Sequence, residues 1–127
     1  MNVMIFSKYM NTPIEIKSKN VQDAMIFEFH GELDETNADK TFTDIYSSIG
    51  DFKSKKIILN LVELKYLNSK SIGYIADIFS NLEDVGSKMA LSNILPEVHD
   101  TLELVGILQI IPAFATEQEA ITSFTVA

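Results

Sequence analysis

The chain has 127 residues, 46% of them hydrophobic, and a net charge of −8. That length supports one domain with one core, and the composition is that of a globular protein. Cysteine is absent, which excludes disulfides and thiolate metal sites, and no apolar run approaches the ~20 residues that a membrane-spanning helix needs.

Residues 1–12 carry no clear pattern and are expected to be a loose extension ahead of a domain over 13–127. After Pro13, Ile14-Glu15-Ile16-Lys17 alternates apolar and polar residues, as a half-buried edge strand does. Ala24 to His30 forms a second strand, close enough to pair with the first as a hairpin. Gly31-Glu32-Leu33-Asp34 is expected to end it, with Asp34 or Thr36 capping the next helix. From Asn37 to Ile49, the apolar residues Ala38, Phe42, Ile45, Tyr46 and Ile49 fall at helical spacings, and Gly50 follows as a stop.

The most informative stretch runs from Lys56 to Gly73. Ile57-Ile58-Leu59-Asn60-Leu61-Val62 is nearly continuous apolar sequence, as in a parallel strand buried on both faces. A polar turn leads to Asn68-Ser69-Lys70-Ser71, where Asn and Ser suit a helix N-cap. The helix is predicted over Ser69 to Val85, with Ile72, Ile75, Ala76, Phe79 and Leu82 as its buried stripe. Gly86 then stops it. Met89 to Asn93 is a short strand. Pro96 opens a third helix bearing Val98, Leu102 and Val105. Gln109 to Phe114 is predicted as a last strand, and the Thr116/Glu119 pair is a capping box for a last helix to about Phe124. Strands alternating with helices predict an α/β domain: a mostly parallel mixed sheet, an antiparallel N-terminal edge strand and about four helices.

This order, with three of its motifs, resembles the STAS domain of bacterial anti-sigma factor antagonists. His30-Gly31-Glu32-Leu33-Asp34 resembles the family's G-E-L-D turn. Ile58 to Leu61 followed by Leu67-Asn68-Ser69-Lys70-Ser71-Ile72-Gly73 resembles its strand and D-S-S-G-L-G phosphorylation loop. Asn93 to Val98 with Leu102 to Ile107 resembles its third helix and following turn. The resemblance implies a STAS-like fold and a partner switch. An anti-sigma factor serine/threonine kinase would phosphorylate the antagonist, a cognate phosphatase would reset it, and the unphosphorylated form would bind the kinase. By position the phosphorylated serine is Ser69, with Ser71 as the fallback. Asn68 replaces the usual Asp, Lys70 the second Ser and Ser71 the Gly. Lys70 could pair with a phosphate on Ser69. Glu32, Asp34, Asn68, Lys70, Tyr74 and Ile78 are the expected docking residues.

The physics of Ser69 agrees with that assignment, because a helix N-terminus favours negative charge. Its bland alternative is a helix cap without chemistry. Tyr74, Ile78 and Val85 lie off the predicted stripe, as either a partner patch or a wider buried face. Catalysis is not expected: there is no P-loop, no G-x-G-x-x-G and no nucleophile–histidine pair at a recognisable spacing. Both histidines, His30 and His99, read as ordinary strand and surface residues, and no cofactor or metal is expected. All ten basic residues are lysines, and net negative charge argues against nucleic acid. The expectation is therefore a cytoplasmic binding protein, a monomer or weak dimer without a membrane partner. The rival expectation is a STAS adaptor or stressosome-like scaffold that lacks a working phospho-switch.

Overall fold

The computed structural model describes residues 2–6 in backbone and 14–125 in full. Six strands form one sheet in sequential order: β1 (Asn2–Phe6), β2 (Ile14–Val21), β3 (Ala24–Leu33), β4 (Lys56–Leu67), β5 (Lys88–Ser92) and β6 (Ala113–Phe114). The β1/β2 and β2/β3 pairs are antiparallel, and the remaining pairs are parallel. The predicted mixed α/β architecture is therefore observed. Asn2–Phe6 of the expected loose extension instead pairs with β2 along its whole length and covers that strand's open backbone edge. The rest of the extension lies outside the described residues.

Four helices connect the strands: α1 (Ala38–Ile49), α2 (Ser69–Asp84), α3 (Pro96–Leu104) and α4 (Glu117–Ser123). Side-chain parity along the strands sorts them onto two faces. Phe27, Phe29, Ile57, Leu59, Met89 and Leu91 point to α1, α2 and α3. Ile26, Ile58 and Ala90 point to Ala120, Ile121 and Phe124 of α4. This double coverage explains the unbroken apolar run at the start of β4.

The far half of β4 departs from simple alternation. Leu61, Leu64 and Leu67 are three residues apart, yet all belong to the same core. The register with β3 explains this. Glu28 faces Asn60 but His30 faces Glu63, and Gly31 faces Leu64 but Glu32 faces Tyr66. Each irregularity inserts one extra β4 residue, which returns the next leucine to the inner face. Asn60 stabilises the first: its Oδ1 accepts a hydrogen bond from the Val62 N–H at 3.0 Å. Its Nδ2 donates to Glu117 at 2.8 Å, and Glu117 in turn pairs with Lys19 at 2.9 Å. At the second, Gly31 takes φ 124°, so β3 continues to Leu33 instead of stopping at the glycine.

Several helix ends follow sequence. The α2 terminus is a Schellman turn, with Gly86 N–H donating to Glu83 C=O and Ser87 N–H to Leu82 C=O. Thr116 caps α4 through the Glu119 N–H. Others differ. The Asp34 carboxylate closes a turn with the N–H and hydroxyl of Thr36 and does not cap α1. The predicted last strand is two residues long, because Ile107–Gln109 form a 3₁₀ turn.

The inner stripe of α2 is Ser71, Ile75, Ile78 and Leu82, rotated from the predicted one. Ile72, Ala76 and Phe79 are only partly buried. Helix α2 packs against both α1 and the sheet, so its buried face is wide. Ile78, expected on a docking surface, is 0% exposed and belongs to the core. Replacing Ile78 with Ala should destabilise the fold by about 2–5 kcal/mol in urea titration, whereas a surface contact residue would leave stability within about 0.5 kcal/mol.

Candidate functional site

The ends of β3 and β4 lie side by side, with Leu33 facing Leu67. Immediately beyond that pair, the Asn68 N–H donates to the Leu33 carbonyl at 3.0 Å. The Glu32–Asp34 turn and the start of α2, distant in sequence, are thus brought together. Asn37, almost completely buried, holds the turn in shape. Its Oδ1 accepts from the Asp34 N–H at 3.0 Å, and its Nδ2 donates to the Glu32 carbonyl at 2.9 Å. Sequence reading passed over Asn37; its one local signal was a short amide side chain just before a helix.

Asn68 is the N-cap of α2. Its Oδ1 accepts from the Ser71 N–H at 2.9 Å and from the Ser71 hydroxyl at 2.7 Å. The two candidate serines therefore differ sharply. Ser71 is 0% exposed and its hydroxyl is committed to the cap. Ser69 is exposed at the first helical position, and its hydroxyl has no hydrogen-bond partner among the described residues. The fallback candidate Ser71 is therefore buried and bonded, and a kinase would reach its oxygen only by opening the helix start.

Lys70 is not directed at Ser69. Its ammonium bonds Asp39 of α1, at 2.9 Å to Oδ1 and 3.0 Å to Oδ2. Adjacent helical positions point about 100° apart, so Lys70 and Ser69 leave α2 in different directions. The Tyr74 hydroxyl donates to Asp39 Oδ1 at 2.7 Å. Asp39 thus joins two of the expected site residues, and no local pattern could have revealed it, because both partners lie more than thirty positions away. The hydrogen bonds from Lys70 and then Tyr74 hold the Asp39 carboxyl below the ordinary aspartate range. The same contacts raise Lys70 and Tyr74.

Behind this cluster, aromatic rings fasten α1 to α2. Phe42 stacks on Tyr74 with centroids 4.8 Å apart, and Tyr46 meets Tyr74 edge-on at 6.4 Å. The Tyr46 hydroxyl donates to Asp77, and burial, followed by that contact, pushes its ionisation well above the usual tyrosine range. Tyr74 is consequently a half-buried strut with only its rim at the surface.

The site is a small polar surface with one free hydroxyl at a helix N-terminus. Glu32 and Asp34 lie on the turn joined to the helix start by the Asn68–Leu33 bond, and Asp39 is bonded to Lys70, the residue after Ser69. The site can accept a negatively charged group and present it outward.

This fold and site define a class. The STAS domain model matches residues 15–120, and the chain belongs to the STAS domain family. Among curated relatives, the anti-sigma F factor antagonist of Paenibacillus polymyxa is 26% identical over 113 residues, covering 89% of this chain and 97% of that protein. Among solved structures, an anti-sigma factor antagonist from Mycobacterium paratuberculosis superimposes with a TM-score of 0.80 at 17% identity, covering 89% of this chain and 95% of that one. SpoIIAA, described as a Bacillus cell fate determinant, matches at 23% identity in both of its forms. The unphosphorylated form gives a TM-score of 0.70 over 88% of this chain and 98% of that one. The phosphorylated form gives 0.65 over 86% and 98%.

Two outcomes are expected from this geometry. Replacing Asn68 with Ala should lower stability by about 1–2 kcal/mol in urea titration, since it removes a helix cap and leaves the buried Ser71 hydroxyl without its acceptor. Replacing Ser69 with Ala should leave stability unchanged within about 0.5 kcal/mol. Secondly, a group whose folded pKa is depressed contributes stability above its unfolded value and loses it as pH falls through the folded value. Carboxylate NMR should therefore find Asp39 titrating below 3.8, the ordinary aspartate value, and moving back toward it in Lys70→Gln.

Proposed function

We propose that this chain is an anti-sigma factor antagonist that works by binding, with Ser69 as its switch. The unphosphorylated surface formed by Glu32, Asp34, Asn68, Lys70 and Tyr74 would dock on an anti-sigma factor that is also a serine/threonine kinase. That partner would phosphorylate Ser69, release the antagonist, and be opposed by a phosphatase. Ile78 is left out of this docking set because its side chain is buried. The cytoplasm is the compartment in which such a circuit would operate, and among the described residues no helix is long and apolar enough to cross a membrane.

The observation that carries this reading is the contrast between the two serines. Ser69 offers a free, exposed hydroxyl at the start of a 16-residue helix, while Ser71 is buried and bonded. A phosphate adds about 1.5–2 negative charges. At the start of α2 the helix dipole tolerates that charge, so the domain need not unfold. The neighbouring charges explain how it would act. Lys70 is held by Asp39, and Asp34 and Glu32 are of like sign to a phosphate. The added charge would therefore be presented to the partner and repel it, with little internal latching.

Phosphopeptide mapping of the protein from its own cells, sampled across growth states with phosphatases inhibited, tests the reading. Cleavage after lysine separates Tyr66–Lys70 from Ser71–Lys88, so the two serines fall on different fragments. Phosphate is expected on the first fragment in some states. Its absence from that fragment in every state would overturn the switch and leave a STAS adaptor that acts without phosphorylation.

A further inference from the structure

The lysines of this acidic chain are unevenly used. Lys17, Lys19, Lys40 and Lys70 each pair with a carboxylate. Lys53, Lys55, Lys56, Lys65 and Lys88 form no ion pair among the described residues, and three of them, Lys55, Lys56 and Lys88, line one cavity. Lys56 opens β4 and Lys88 opens β5, so the group sits at the end of the sheet opposite Ser69. An open cavity of about 430 Å³ there is lined by Lys55, Lys56 and Lys88 together with Asp23, Ser54 and Ser87.

Its geometry is specific. Lys56 and Lys88 are register partners on adjacent parallel strands, so both side chains leave the same face of the sheet. Like charges side by side repel and are unfavourable unless an anion lies between them. The chain carries 18 carboxylates against 10 lysines, yet only Asp23 lines this cavity, and it pairs with none of them. The walls are also tied together. Lys88 N–H donates to the Lys55 carbonyl at 3.0 Å, Lys55 N–H donates to Ser87 Oγ at 3.0 Å, and the Ser87 hydroxyl donates to the Phe52 carbonyl at 2.5 Å. Ser54 and Gly86, both left-handed with φ 58° and 77°, turn the two loops around the opening. The backbone that carries the lysines is thus braced on both sides of the opening.

We propose that this cavity binds a small, multiply charged oxyanion of the phosphate class, held by Lys55, Lys56 and Lys88. Its volume is that of a small-molecule site and not of a macromolecular groove. Three ammonium groups act as point charges on phosphate oxygens, without the bidentate geometry that arginine would supply. The proposal does not depend on the Ser69 switch: the two sites lie at opposite ends of β4.

Amide NMR of the whole chain titrated with inorganic pyrophosphate tests it, at low salt and again at physiological salt. Saturable shifts are expected at the amides of Lys55, Lys56, Ser87 and Lys88, with affinity falling as salt rises. Lys56→Gln/Lys88→Gln should weaken binding at least about tenfold, the loss expected when charge-assisted contacts are removed. Lys88→Gln alone should have a smaller effect in the same direction, and an unchanged spectrum elsewhere would establish that the fold is intact. Shifts that do not saturate, that spread equally to Lys17, Lys40 and Lys65, or that persist in the double variant would overturn the site. So would saturable binding of a polyglutamate peptide where pyrophosphate fails to bind, since the surface would then serve an acidic protein.

Discussion

The site depends on how the far ends of β3 and β4 meet. Parallel strands share no turn, so only register and side-chain packing can align their last residues. Here the alignment requires two extra β4 residues, one at each irregularity, so that Leu61, Leu64 and Leu67 all reach the core and Leu67 lies against Leu33. The backbone bond from Asn68 to Leu33 then closes the junction. Without that register, the acidic turn and the start of α2 would belong to separate parts of the surface.

Around the junction, polar side chains do structural work that leaves a single hydroxyl free. Asn37 satisfies both ends of the Glu32–Asp34 turn, and Asn68 satisfies the first turn of α2 together with the buried Ser71 hydroxyl. Buried amides and hydroxyls are tolerated only when paired. Ser69, at the first helical position and facing outward, is outside this accounting. The Asp39–Lys70–Tyr74 cluster then fastens α1 to α2 beside it, with the Phe42 and Tyr46 rings underneath. The result is a modifiable group on a rigid base, where added charge changes what a partner meets and leaves the fold in place.

Charge is divided along the length of β4. Glu32, Asp34 and Asp39 lie at the Ser69 end, while Lys55, Lys56 and Lys88 line a cavity where β4 and β5 begin. Net charge alone reports neither feature. At physiological ionic strength the screening length is about 8 Å, so the ends of a 12-residue strand are electrostatically separate. One domain can therefore present two surfaces of opposite character.

Much of this was legible in the amino-acid sequence. The order of elements from β2 to α4, the helix stops at Gly50 and Gly86, the Thr116 cap and the exposed position of Ser69 follow from local patterns, because periodicity and capping are properties of a few neighbouring residues. The family resemblance rests on the same local motifs. Tertiary structure decided the rest. It buried Ile78 and rotated the α2 stripe, since a helix packed on two neighbours hides more than one face. It continued β3 through Gly31, shortened the last strand and recruited Asn2–Phe6 to the sheet, because strand limits depend on what lies alongside. It also gave Lys70 to Asp39, and it brought the lysines of two separate strand starts into one cavity. Those outcomes join residues that are not neighbours in sequence, in the case of Lys70 and Asp39 thirty-one positions apart, and only the folded chain sets such distances.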